Sequence, residues 1–144
     1  MHPARFASGP GAASVAGATA LAGLSALHLA WAAGSSWPAG DRAALAQAAA
    51  GTDELPGPVP CLQVAAVLAG AAALVGGVGG DRPAARLGRA AVAAGFLTRG
   101  LAGLTGNTHR LVSWTPQARF TRLDHRYYGP LCCAICLTDR KSVG

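Results

Sequence analysis

The 144-residue chain carries 12 Lys and Arg against 6 Asp and Glu, a net charge of +6 at neutral pH with a pI near 9.9, yet only 12% of its residues are charged. Soluble domains usually carry about 25%, so the chain is short of the polar surface an ordinary soluble monomer needs. It reads as membrane-resident, with a soluble alanine-rich bundle as the competing reading because mean hydropathy is only +0.34. The arginines stand in short clusters beside apolar segments and in no nucleic-acid motif, which argues against nucleic acid and for a lipid bilayer with anionic headgroups as the partner.

After a short tail holding Arg5, residues 12–37 form an apolar run, and about 20 residues suffice to cross a hydrocarbon core of roughly 30 Å. Trp31 and Trp37 mark its far boundary. A cleaved signal peptide competes, since Ala30, Ala32 and Ala33 could serve a protease, but the length of the run, His28 within it and the further apolar spans favour a retained helix. Prolines and glycines make residues 35–60 a loop, with a short helix over 41–50 capped by Gly51. The second span, 59–78, is uncharged. A basic turn with Arg82, Arg86 and Arg89 follows, and the positive-inside rule places it and the amino terminus in the cytoplasm.

The third span, 87–105, is short unless Arg86 and Arg89 snorkel outward, and it contains Arg99. A charge at that depth costs at least about 2.5 to 3.5 kcal/mol, which directs Arg99 to the bundle interior or a wet cavity. Ala91, Gly95, Arg99 and Gly103 recur every four residues, a small-residue face for close approach of another helix, including self-association of copies. Thr115 and Pro116 read as the N-cap and first position of an interfacial helix. That helix sets Phe120, Leu123 and Tyr127 on one side and Arg119, Arg122 and Arg126 on another. A fourth run, 128–138, takes Pro130 in its first turn and spans about 16 Å, half a bilayer. The expected architecture is an all-α integral membrane four-helix bundle in one multi-pass cell-membrane domain. It has three full transmembrane helices and a truncated fourth, with the interfacial amphipathic helix before it. Residues 139–144, with the lone lysine Lys141, form a doubtful tail.

A four-span path brings the end of the first helix, the end of the third and the interfacial helix to one membrane face, where His28, Trp31, Arg99, Arg122, Asp124 and Tyr128 are expected to gather. In a structural reading Arg99 pairs with Asp124 to fix helix packing. In a functional one the cluster is a pocket for a small anionic or lipid-like ligand, with Arg99 as charge clamp and His28 as donor or proton relay. A separate alternative uses Cys133 and Cys136, which have the spacing of a redox dithiol and are reminiscent of quinone-linked thiol oxidoreductases such as vitamin K epoxide reductase. Only Cys61 and Cys132 remain to relay electrons to such a pair. No histidine follows Cys136 as c-type haem attachment requires, and His109, His125 and Cys132 are too scattered for a zinc site. No phosphate loop, nucleophile elbow or carboxylate pair is present, so no cofactor and no metal are expected.

Four segments carry a family resemblance: His28-Leu-Ala-Trp31, Pro56-Gly-Pro58, Phe96-Leu-Thr-Arg99-Gly100, and the run from Phe120 through Asp124 and Tyr128 to Cys132. Together they resemble the small bacterial membrane family numbered 3995 among the domains of unknown function. The Tyr-x-Pro-Leu-Cys ending is the most specific of these signals. The resemblance implies four transmembrane helices and no assigned activity. The chain departs from the family in having Gly129 where serine is usual and in lacking most of the fourth helix.

Overall fold

The computed structural model describes residues 10–140; the amino tail with Arg5 and residues 141–144 with Lys141 lie outside the described residues. The described chain is all-α: α1 (Ala12–Ala32), α2 (Arg42–Ala49), α3 (Pro58–Val75), α4 (Pro83–Leu104), α5 (Ala118–Leu123) and α6 (Gly129–Arg140). Local chemistry sets the ends. Pro58 and Pro83 open α3 and α4, where a missing N–H costs nothing. Asp41 caps α2 by accepting from the Ala44 N–H at 2.7 Å, and Gly51, at φ +71, ends it, as expected of a left-handed cap.

Among the described residues two helices, α1 with 21 residues and α3 with 18, are long and apolar enough to cross a membrane. α4 has 22 residues but holds Arg86, Arg89 and Arg99, and α6 has 12. The expected first span to residue 37 is too long: α1 stops at Ala32, and Trp37 lies in the loop, its carbonyl accepting from Trp31 Nε1 at 2.8 Å. Arg89 does not snorkel. It is buried and turns back to donate to the Gly80 carbonyl at 2.9 Å, tying α4 to the glycine-rich turn behind it.

The four longest helices run alternately up and down. α1 lies antiparallel on α3, with Ser25 Oγ donating to the Ala65 carbonyl at 2.7 Å, and α4 lies antiparallel on α6. Leu21 of α1, Leu68, Ala71 and Val75 of α3 and Ile135 of α6 form the central cluster, and Val92 and Phe96 of α4 pack against it. At one end α2, the turn at Thr108–Arg110 and α5 form a cap. Trp114 Nε1 donates to the Ala50 carbonyl at 3.0 Å, and Gln117 donates from its backbone to Gly51 at 3.0 Å and from its side chain to Asp53 at 2.7 Å. Those bonds hold Gln117 extended as the N-cap of α5, so this helix begins at Ala118 and not at the expected Thr115-Pro116.

The step from α5 into α6 is a π turn over Asp124–Tyr128, closed by the Gly129 N–H on the Asp124 carbonyl. Pro130 has no N–H, and its ring would press on the carbonyl four residues back; the wider turn relieves that contact and lets the helix continue. The extra residue also shifts register. Tyr127 turns outward, 55% exposed, and Tyr128 takes the inner place beside Phe120, with ring centroids 5.9 Å apart. The expected apolar face of Phe120, Leu123 and Tyr127 is thereby corrected at its last member.

Candidate functional site

The cap leaves a cavity of about 230 Å³ between itself and the ends of α1, α3 and α4. Its walls are largely apolar, including Leu55, Pro60, Val64, Val112 and Phe120, and His28, Trp31 and Arg99 reach into it. α1 presents His28 and Trp31 one turn apart, their rings 4.8 Å centroid to centroid. His28 Nδ1 lies 2.8 Å from the Leu24 carbonyl. A carbonyl only accepts, so Nδ1 carries a proton and the neutral ring keeps Nε2 as an acceptor; Nε2 can donate to an anion only once the ring is protonated.

Arg99 comes from the last turns of α4 and meets Asp124 of the π turn, NH1 to Oδ1, at 2.8 Å. Asp124 is 2% exposed and the Arg99 side chain 31%. The two atoms are close but poorly aligned, so the contact is ionic and neither gains a directed hydrogen bond from it. The other carboxylate oxygen, Oδ2, accepts a hydrogen bond from Thr108 Oγ1. The guanidinium also lies over the Phe120 ring, 5.9 Å from its centroid, a favourable cation–π placement. Asp124 thus holds one end of the guanidinium while the rest stays open to the cavity. This balance matters chemically: a guanidinium already neutralised on one side is a weak trap for a free inorganic anion, and the apolar walls favour a ligand that brings apolar surface with its charge.

The remaining expected site residues are dispersed. Tyr128 donates to the Ala48 carbonyl at 3.1 Å and so fastens the cap. Arg122 is exposed on α5, and nothing in the structure brings it to the cavity. Phe120, Thr108 and Trp114 also belong to the site; Phe120 is legible in the sequence only as an apolar helix position, and Thr108 is an unremarkable loop threonine until the fold sets it against Asp124. All four cysteines are free thiols. Cys133 and Cys136 sit along α6, Cys136 buried and Cys133 packed so tightly on α4 that a Cβ on Gly100 would come within 2.5 Å of its sulfur. Among the described residues, no group of three or more His, Cys, Asp or Glu is placed to hold a metal ion.

The model of a family described as a protein of unknown function, DUF3995, matches residues 21–138. The chain belongs to this family. The match takes in α1 from Leu21 onward, the cap, α3, α4 and most of α6, so the cavity and the Arg99–Asp124 pair lie inside the DUF3995 region. Comparison with the curated proteins and with the solved structures finds no match.

Proposed function

We propose that this DUF3995 chain is a multi-pass protein of the cell membrane whose capped cavity binds a small ligand with an anionic head and an apolar body. Residence in the membrane is supported by α1 and α3: only 22% and 28% of their apolar windows are buried within the chain, leaving apolar surface that water would penalise at about 25 cal/mol per Å². α4 crosses beside them while α6, with 12 residues, reaches only part of the way, and the amino terminus faces the cytoplasm, which sets the cavity on the opposite side. The ligand reading rests on one observation, a part-exposed guanidinium inside a largely apolar cavity, held from behind by a buried carboxylate.

The test uses the full chain in nanodiscs of zwitterionic lipid, titrated with octanoate while the fluorescence of Trp31 and Trp114 is followed. Saturable quenching is expected. Arg99→Lys keeps the charge but loses the planar fork and should weaken binding about tenfold, since each factor of ten is about 1.4 kcal/mol. Equal affinity for octanoate and for the uncharged octanol would defeat the reading.

A further inference from the structure

Arg99 lines a second space as well. Between α3 and α4, on the membrane side of the cavity, lies an open apolar groove of about 390 Å³ walled by Val67, Leu68 and Ala71 from α3 and by Val92, Gly95 and Phe96 from α4. The groove and the capped cavity share Arg99, and along α3 their linings follow on without interruption, from Cys61 and Val64 in the cavity to Val67, Leu68 and Ala71 in the groove. At 1.5 Å per residue, the stretch from Pro60 to Ala71 gives a continuous apolar track of about 16 Å. Among the described residues, one charged side chain lines it, Arg99, at the junction. The groove is open because its floor has no side chain: a Cβ on Gly95 would meet nothing within 4 Å. The rim is apolar too, with Val67 72% exposed.

We infer that the α3–α4 groove is the tail site of the same ligand, which is a single-chain anionic amphiphile drawn sideways from the bilayer, its head at Arg99 and its hydrocarbon chain along Val67, Ala71, Val92 and Gly95. The inference rests on the ligand reading above and extends it to a substrate class and a route. Charge complementarity selects this occupant: a groove that is apolar along its length and cationic at its inner end matches an anionic head on an apolar chain. A neutral lipid would make no use of the guanidinium face that Asp124 leaves uncovered, and a free inorganic anion would leave the groove unfilled.

The experiment compares palmitate with octanoate on the full chain in zwitterionic nanodiscs, using wild type, Gly95→Leu and Arg99→Gln. Gly95→Leu places a side chain into empty space and fills the groove without touching the cavity. A palmitate carrying a photoreactive group near its chain end is expected to label the peptides of α3 and α4 around Val67, Ala71 and Val92, and unlabelled palmitate should displace it. Gly95→Leu should cut palmitate binding about tenfold, the effect of losing about two buried methylenes, and leave octanoate unaffected. Arg99→Gln should weaken both. Palmitate and octanoate binding that are equally untouched by Gly95→Leu would overturn the groove while sparing the cavity; loss of Arg99 dependence for both would overturn the cavity reading itself. A Gly95→Leu chain that changes from dimer to monomer with palmitate binding intact would give the groove to a second copy and likewise overturn the inference.

Discussion

α4 contributes to two seams that are built in opposite ways. Against α6 it approaches backbone to backbone. A Cβ on Gly100 would lie 2.9 Å from the Cys133 nitrogen and 3.0 Å from the Gly129 carbonyl, and one on Gly103 would lie 2.8 Å from Asp124 Oδ1 and 3.0 Å from the Gly129 Cα. Against α3 the same helix is close near its start, where a Cβ on Gly88 would lie 2.9 Å from Leu74, but it opens further along, and the space at Gly95 stays empty. Glycine therefore does contrasting jobs along one helix: on one face it permits contact, on the other it preserves a gap. The closed seam carries the buried charge, because Asp124 can be held by Arg99 and Thr108 only if the π turn sits close to α4. The open seam carries the apolar surface. Neither arrangement follows from the residue type alone.

The largest expected effect comes from breaking the closed seam at its charge. Arg99→Leu leaves the Asp124 carboxylate buried without its cation, which costs about 3 to 5 kcal/mol where burial is complete. Asp124→Asn should cost less, because the Arg99 side chain is 31% exposed against 2% for Asp124 and can turn to water. The double variant should regain part of the loss through a coupling of about 0.5 to 3 kcal/mol. Chemical denaturation in detergent micelles measures all three, and strictly additive losses would show that the pair does not interact. Next in size is Gly100→Ala. The added methyl meets backbone on α6 as well as the Cys133 sulfur, so the helices must separate, and overpacking of this kind costs about 1 to 3 kcal/mol. Unchanged stability by the same measurement would mean the two helices already stand farther apart.

A smaller effect is expected where the cap joins the closed seam. Tyr128→Phe removes one hydrogen bond, to the Ala48 carbonyl, worth about 0.5 to 1.5 kcal/mol. Global stability should fall little, while protease cleavage in the 33–57 loop should accelerate because the cap loses a fastening. Cleavage at the wild-type rate would show that Trp114 and Gln117 alone hold it.

The contrast between seams also explains what could be read before the fold was known. The uncharged runs of α1 and α3 announced themselves by length and hydropathy, and Asp41 and Gly51 bracketed α2, whereas α4 begins at Pro83, four residues before the expected start at 87. Arg99 stood out as the one charge deep in an apolar span, and Asp124 as its candidate partner. The π turn did not announce itself, since Pro130 fits the start of a new helix as well as the wide turn of a continuing one. Tyr127 is therefore exposed where helical spacing set it on the apolar side with Phe120. The four-residue spacing of Ala91, Gly95, Arg99 and Gly103 pointed to a single contact face; in the structure Gly103, with Gly100, meets α6 while Gly95 lines the gap. Spacing reports which residues share a side of a helix and is silent on whether a neighbour comes close enough to use it. Thr108 and Trp114 reached the site through the connection between α4 and α5, for which sequence pattern has no period.

The smallest expected effect is also the sharpest test of the two seams, because it applies one substitution to two glycines of one helix. Glycine in a helix interior costs about 0.5 to 1 kcal/mol relative to alanine, through the backbone entropy lost on folding. At Gly95 the new methyl enters open space, so Gly95→Ala should stabilise by about that amount and leave the groove wide enough for a chain. At Gly103 the same gain is opposed by contacts of 2.8 Å with the Asp124 carboxylate and 3.0 Å with the Gly129 backbone. The carboxylate is pinned by Thr108 and Arg99 and cannot yield without disturbing both, so Gly103→Ala should destabilise. Opposite signs in a paired denaturation experiment are the expected result. Matching signs would mean that α4 faces similar surroundings on both sides, in which case the groove closes in solution and the closed seam has no special tightness.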